Sequence, residues 1–179
     1  MKLLRYLSCC LVALLCFTIE SPRATAKSQT HVYLLRGLFN VSVGLDALAG
    51  KLNQRGIAAS LYGSDSSSEI DSVAQVIIRD FRSGMARSIV LIGHSGGAGA
   101  AILITQQLED AKVPVALLIM LDPVADYVVP RNVKRAVNFY VGGARVLGAT
   151  NVNVDGPGMN HLSIQTNESI HRKIIDYIR

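Results

Sequence analysis

The sequence IVLIGHSGGAGAA occupies residues 89–101 and decides the fold of this 179-residue chain. Its first four residues are all apolar, which is typical of a strand that is buried on both faces of a sheet. The glycine-rich segment that follows has only small side chains and leads into a helix predicted over residues 97–110. A buried strand that turns directly into a helix is the repeating unit of a parallel α/β sheet.

Apolar strands and amphipathic helices alternate on both sides of this segment. The predicted strands are 32–35, 57–62, 88–92, 115–121 and 136–141, with 151–154 as a candidate sixth. The predicted helices are 45–52, 70–81, 97–110 and a last one from about residue 167. Two pairs of polar residues fit a capping box before the second helix: Ser66 with Glu69, and Ser68 with Asp71. Residues 122–135 lack a helical pattern and form a candidate substrate-facing loop.

This order of elements predicts the fold class. Parallel strands joined by helices require right-handed crossovers, which place helices on both faces of the sheet. We therefore expect an α/β fold, a three-layer α/β/α sandwich with a mostly parallel sheet.

The N-terminus has the three parts of an export signal. Its first five residues include two basic side chains, residues 7–19 are an apolar run, and residues 24–26 give the small-x-small pattern that signal peptidase cleaves. The apolar run falls short of the roughly 20 residues that span a bilayer, so no stable membrane anchor is expected. We predict a signal peptide over residues 1–26, one domain over residues 27–179, and a secreted or periplasmic location.

Charge and cysteine content argue against several other classes of protein. Three of the 18 basic residues and one of the 13 acidic residues precede residue 27, so the remaining chain has a formal net charge of +3. No basic cluster is interleaved with aromatic residues, and no nucleic-acid binding is predicted. All three cysteines also precede residue 27, so the domain has no disulfide and no cysteine nucleophile. No cofactor is expected, and no cluster at ligand spacing suggests a metal.

Residues 93–97, Gly-His-Ser-Gly-Gly, fit the G-x-S-x-G pattern of a nucleophile elbow. In such an elbow the serine lies on a strained turn, and side chains at positions 93 and 97 would collide with neighbouring backbone. A dinucleotide-binding fingerprint would need glycine in place of Ser95, and a phosphate-binding loop would need glycine in place of Ala98 with lysine next. We therefore predict Ser95 as a nucleophile.

With this elbow and this order of elements, the chain resembles small, lidless members of the α/β-hydrolase superfamily over nearly all of residues 31–179. It is similar to compact bacterial esterases, lipases and thioesterases. The resemblance implies hydrolysis of an ester or thioester bond in a small-molecule or polymeric acyl substrate, by a triad in the chain order serine, acid, histidine. Export favours esters over coenzyme A thioesters. A catalytically inactive binding protein with the same fold is the alternative.

His161 is the predicted general base. It lies in a loop between the last candidate strand and the final helix, where the catalytic histidine of this family lies. The other histidines fit this role less well. His31 comes too early in the chain, His94 is the variable position of the elbow, and His171 lies in the last helix between isoleucines.

Asp122 is the predicted acid that orients the imidazole, because it directly follows the apolar strand over 115–121. The more usual place for this acid is one strand later, where residues 142–145 contain no carboxylate. Asp126 and Asp155 remain alternatives, and Asp122 could instead cap the turn before a proline.

Two backbone N–H groups are the predicted oxyanion hole. One belongs to Gly96, the residue after the nucleophile, and the other to Leu38, in the loop after the first strand. Gly37 allows that loop to approach the serine closely. Each donor is worth on the order of 3 kcal/mol of the barrier to acyl transfer.

Overall fold

The computed structural model describes residues 29–179, so the predicted signal peptide lies outside the described residues. The strands are β1 (Thr30–Leu35), β2 (Ala58–Tyr62), β3 (Ser88–His94), β4 (Leu117–Leu121), β5 (Tyr127–Val128), β6 (Ala136–Tyr140), β7 (Val146–Leu147) and β8 (Thr150–Asn153). The helices are α1 (Val43–Gln54), α2 (Ser67–Arg82), α3 (Gly96–Asp110) and α4 (Glu168–Ile178). A short 3₁₀ turn spans Leu38–Asn40.

Six strands form one parallel sheet in the order β2-β1-β3-β4-β6-β8. The chain first runs outward from β1 to β2, then crosses back and adds β3, β4, β6 and β8 on the other side of β1. The direction of winding therefore reverses between β1 and β3. The predicted three-layer α/β fold with a mostly parallel sheet is confirmed.

The core consists of two apolar layers, one on each face of the sheet. Alternate residues of a strand point to opposite faces. Tyr33 and Leu35 thus pack with the apolar faces of α2 and α3, whereas Val32 and Leu34 pack with those of α1 and α4. Both sets are fully buried. This double burial explains why the strands are continuous apolar runs rather than alternating ones.

Polar caps define where two of the helices begin. The capping box of α2 is formed by Ser66 and Glu69: the Glu69 N–H donates to Ser66 Oγ at 3.2 Å, and the Ser66 N–H donates to Glu69 Oε2 at 3.1 Å. At α4 the side chain of Asn167 accepts the Ser169 N–H at 2.9 Å. Of the two predicted pairs at α2, the structure contains the first.

Two features of the loops differ from the sequence prediction. The expected loop over 122–135 contains β5, which pairs in parallel with β7 outside the main sheet. Both strands have only two residues, too few to produce a readable periodicity. The predicted strand over 115–121 begins instead at Leu117, because Val115 makes only an isolated bridge to Val133. No helix within residues 29–179 is long and apolar enough to cross a bilayer.

The start of α1 touches the loop that precedes α4. The N–H of Gly44 donates to Gln165 Oε1 at 2.9 Å. A Cβ atom at Gly44 would lie 2.0 Å from the backbone oxygen of Gln165, which no packing adjustment short of moving that backbone could relieve. In the same helix, a Cβ at Gly50 would meet nothing within 4 Å.

These two glycines of α1 give opposite predictions for the same substitution. We expect Gly44→Ala to lower the free energy of unfolding by about 1–3 kcal/mol, because it overpacks a rigid contact. Gly50→Ala should raise it by up to about 1 kcal/mol, because alanine is the better helix former and the site is open. Urea denaturation of the two variants checks this. Equal effects of the two substitutions would contradict the close approach at Gly44.

Candidate active site

The turn between β3 and α3 places Ser95 in a strained backbone conformation. Its φ is 56° and its ψ is −122°, a combination that non-glycine residues rarely adopt. The glycines at positions 93 and 97 allow close contacts between backbone segments. A Cβ at Gly93 would lie 2.2 Å from the backbone oxygen of Gly97, and a Cβ at Gly97 would lie 2.3 Å from that of Leu35. The elbow therefore needs glycine at both positions.

The elbow lies where the winding of the sheet reverses. The loops after β1 and β3 leave the same edge of the sheet in opposite directions, because α1 covers one face and α3 the other. In parallel α/β sheets, ligand sites form at the carboxyl ends of the strands beside such a reversal. Ser95 follows β3 directly, so the topology puts it at this position.

Ser95, His161 and Asp122 form a continuous series of hydrogen bonds. His161 Nε2 lies 2.9 Å from Ser95 Oγ, and His161 Nδ1 lies 2.7 Å from Asp122 Oδ2. A carboxylate can only accept, so the Nδ1–H donates to Asp122 and Nε2 accepts the serine hydroxyl proton. The structure thus brings together all three residues proposed from the sequence as nucleophile, base and acid.

Both oxygens of the Asp122 carboxylate have partners, and its backbone is fixed as well. Asp122 Oδ1 accepts the N–H of Val141 at 2.8 Å, while Oδ2 faces His161. Its own N–H donates to the Phe139 oxygen at 2.7 Å, and its φ is 47°. The side chain is 8% exposed, compared with 42% for that of His161. The carboxylate is therefore buried and oriented, whereas one edge of the imidazole stays open.

The loop that carries His161 is held by its own polar side chains. Asn160 Oδ1 accepts the N–H groups of Leu162 and Ser163, both at 2.9 Å. Ser163 Oγ donates to the oxygen of Gly158, also at 2.9 Å. These bonds close a compact turn around His161, so the imidazole does not depend on a regular helix or strand for its position.

Leu38 and Gly96, the residues predicted to supply an oxyanion hole, lie side by side. Each is the first residue of its helix or 3₁₀ turn, so neither N–H has a partner within that element. The Leu38 nitrogen is 3.7 Å from the position of a Cβ on Gly96. Gly37 permits this approach, because a Cβ there would lie 3.2 Å from Ser95 Cβ. The start of α3 adds the positive end of a helix dipole at the same place.

The alternative residues do not hydrogen-bond to Ser95 or to the imidazole of His161. Asp126 Oδ1 accepts the N–H of Arg145 at 2.7 Å, and Asp155 is exposed. His31 Nε2 pairs with the Ser60 hydroxyl at 2.9 Å, and His171 is buried with Nε2 2.7 Å from the Gln165 oxygen. Within residues 29–179, His161 is the histidine that contacts Ser95.

A polar network behind the site was missed in the sequence. Ser42 Oγ lies 3.0 Å from the Gly37 nitrogen and 3.0 Å from His94 Nδ1, and His94 Nε2 lies 2.9 Å from the backbone oxygen of His161. Ser42 and His94 are 1% and 2% exposed. The available signal was a histidine directly after the apolar run over residues 89–93, where a buried polar side chain requires a partner.

Large apolar side chains are exposed around Ser95 and His161. Leu38 is 62% exposed beside Gly96, and Leu162, which follows His161 directly, is 70% exposed. Phe39 is 84% exposed and has a φ of 58°, so the strained 3₁₀ turn presents its ring to solvent. Apolar residues at the mouth of a polar site favour ligands that combine a reactive polar group with an apolar portion.

The arrangement can perform one kind of chemistry directly. An imidazole that accepts from a serine hydroxyl and donates to a buried carboxylate can take the serine proton and hold the resulting positive charge. Nearby, free backbone N–H groups can stabilise a developing oxyanion. Among the described residues there is no group of three or more His, Cys, Asp or Glu side chains that could hold a metal ion.

Comparisons with solved structures include a partial likeness to a thioesterase. No protein-family model matches the chain, and no curated protein matches its sequence. The chain is similar to the solved structure of the type II thioesterase BorB from the borrelidin biosynthetic cluster, with a TM-score of 0.38 and 20% sequence identity. The match covers 54% of this chain and 42% of that one, less than half of its length. This partial likeness assigns no function to the chain.

The strain at Ser95 predicts an unusual order of stability. Ser95→Gly and Ser95→Ala both remove the hydroxyl, but only glycine relaxes the positive φ. We expect the glycine variant to be the more stable by about 1 kcal/mol or more, since one strained residue costs about 1–3 kcal/mol. Thermal and urea unfolding check this. At position 50 in α1 we expect the opposite order, with the alanine variant more stable than the glycine-containing protein. A Ser95→Ala variant as stable as Ser95→Gly would contradict the strain.

Proposed function

We propose that this protein is an exported serine hydrolase of the α/β-hydrolase type that cleaves carboxylic ester or thioester bonds. In this proposal Ser95 is the nucleophile, His161 the general base and Asp122 the acid that orients the imidazole. The observation that carries the proposal is the unbroken hydrogen-bonded series from Ser95 Oγ through both nitrogens of His161 to Asp122 Oδ2.

The first half of the reaction forms an acyl-enzyme. His161 Nε2 takes the proton of the Ser95 hydroxyl as Oγ attacks the carbonyl carbon of the substrate. The carbonyl oxygen becomes an oxyanion, stabilised by the N–H groups of Gly96 and Leu38. When the tetrahedral intermediate collapses, the bond to the alcohol or thiol breaks, and His161 returns its proton to that leaving group.

The second half releases the acid. A water molecule gives a proton to His161 and attacks the acyl carbon, and the resulting intermediate expels Ser95 Oγ, which recovers the proton from the imidazolium. Asp122 keeps its negative charge throughout and stabilises the charged ring. The His161 side chain is 42% exposed, so solvent water can reach the imidazole that activates it.

Apolar residues around the site support an apolar acyl group in the substrate. Leu38, beside Gly96, its neighbour Phe39, and Leu162, which follows His161, are all exposed. An acyl chain that covers them removes apolar surface from water, worth roughly 25 cal/mol per Å².

The proposal of export rests on the pattern of residues 1–26. Mass spectrometry of the protein recovered from outside the cytoplasm tests whether the chain is cleaved after Ala26.

A fluorophosphonate probe tests the nucleophile. We expect the protein to be labelled on Ser95, because phosphonylation needs an activated hydroxyl and a donor pair for the phosphoryl oxygen. Ser95→Ala should not be labelled, and its hydrolysis of p-nitrophenyl esters should fall to background. Peptide mass spectrometry locates the adduct. If the unaltered protein neither reacted nor hydrolysed any ester or thioester in a graded series of chain lengths, a binding protein with this fold would replace the proposal.

Matched carboxylate variants test the acid in the same assays. Asp122→Asn should lower kcat on the order of 10²–10⁴-fold, because an amide favours the wrong tautomer of His161. Asparagine tolerates the positive φ of position 122, so the fold should persist. Asp155→Asn, an exposed position in the loop before His161, is the control and should leave kcat unchanged. A large loss in Asp155→Asn with none in Asp122→Asn would overturn the assignment.

A further inference from the structure

His94 is a buried histidine for which the proposed reaction has no step. It is the last residue of β3 and is 2% exposed, although it precedes the proposed nucleophile directly. Its ring lies 5.0 Å from the His161 ring, centroid to centroid, but its two nitrogens bond to Ser42 Oγ and to the backbone oxygen of His161 rather than to that ring. Since His161 already accepts the Ser95 hydroxyl, His94 is not a second base for that serine.

The direction of every hydrogen bond around His94 can be assigned. The backbone oxygen of His161 can only accept, so His94 Nε2 carries a proton and donates to it. Burial lowers the pKa of His94 below its ordinary value of 6.5, and the neighbouring His161 ring lowers it further, while the bond to the His161 carbonyl and the Asp122 charge oppose this. The ring is thus neutral at neutral pH. Its Nδ1 therefore accepts the Ser42 hydroxyl proton.

The side chain of Ser42 bonds to this series instead of capping α1. It is the N-cap residue of α1, where a serine side chain usually accepts an N–H of the first helical turn. Here no such capping bond exists, and Ser42 Oγ accepts the Gly37 N–H at 3.0 Å instead. Gln165 supplies the missing acceptor by taking the Gly44 N–H. The helix is capped from another loop, which leaves Ser42 free for His94.

This series of hydrogen bonds joins two loops whose relative position matters for the proposed reaction. At one end is Gly37, whose neighbour Leu38 is a proposed oxyanion donor. At the other end is the backbone of His161, the proposed base. These segments are more than 120 residues apart in the chain, and one imidazole ring connects them through Ser42 on one side and directly on the other.

We propose that His94 and Ser42 are positioning residues that fix the His161 backbone and the Leu38 loop relative to Ser95. This inference rests on the proposed function, since it assigns a purpose to the spacing between base and oxyanion donors. Displacement of a reacting group by about 1 Å can cost on the order of 10² in rate without altering the chemistry itself. A buried network with every donor paired to an acceptor is suited to prevent such displacement.

Three variants separate the parts of the network. His94→Phe keeps an aromatic ring but removes both bonds, and His94→Gln keeps an amide donor that can reach the His161 oxygen. Ser42→Ala releases the Gly37 loop while leaving the His94–His161 bond. Tyr33→Phe is the control. It removes the buried hydrogen bond from Tyr33 to Asp80, at 3.0 Å on the other face of the sheet, and touches none of these residues.

Kinetics on a p-nitrophenyl ester give the first readout. We expect His94→Phe to lower kcat by roughly 10–100-fold with KM little changed, and His94→Gln to recover a substantial part of that loss. Ser42→Ala should also lower kcat. Tyr33→Phe should lower the melting temperature but leave kcat at the unaltered value. Equal kcat in all four variants, or equal loss in His94→Gln and His94→Phe, would overturn the positioning role.

Imidazole ¹⁵N resonances of His161 give a readout that does not require turnover. They are assigned by their loss in His161→Gln. We expect His94→Phe to shift or broaden them, and Ser42→Ala and Tyr33→Phe to leave them near their original positions. If the unaltered protein neither turned over ester nor took up fluorophosphonate, the proposed function would fail, yet the resonances would still report on the network. Unshifted His161 resonances in His94→Phe would reject the network itself.

Discussion

The contact among three backbones at Gly93, Gly97 and the end of β1 is the constraint on which the site depends. Because glycine places no side chain between these backbones, the start of α3 packs directly against the end of β3 and the end of β1. The serine between them is then forced to a positive φ, and its hydroxyl lies within hydrogen-bonding distance of His161. Core packing on both faces supplies the free energy that maintains this strain, because the strands beneath the turn are completely buried.

The backbones of Ser95 and Asp122 are each held by a hydrogen bond to the neighbouring strand of the sheet. The Ser95 N–H donates to the oxygen of Leu121 at the end of β4, and the Asp122 N–H donates to that of Phe139 in β6. Asp122 Oδ1 then takes the N–H of Val141 just beyond β6. Each residue is thus held by the next strand of the sheet, so the sheet itself preorganises both positions. Such preorganisation is the main way in which enzymes stabilise developing charge.

The sequence predicted the elements whose cause is local or periodic. The elbow, the parallel sheet and the capping of α2 follow from glycine spacing, apolar runs and polar pairs. The sequence also singled out Ser95, Asp122 and His161, which the structure brings within hydrogen-bonding distance. Features that depend on long-range contacts were not predictable. The pairing of β5 with β7 and the bond from His94 to the His161 backbone join residues that no spacing rule relates. Ser42 was hidden because its position resembles an ordinary helix cap.

The separation of core and loops has a consequence for how this chain could change over time. The two apolar layers consist mainly of strand and helix residues, whereas residues 124–126 and 142–145 lie outside the six-stranded sheet and contain no buried residue. Insertions into those segments would leave the packing of the sheet intact, since surface connections tolerate added length at small cost in free energy. The same scaffold could therefore acquire a cover over Ser95 without refolding.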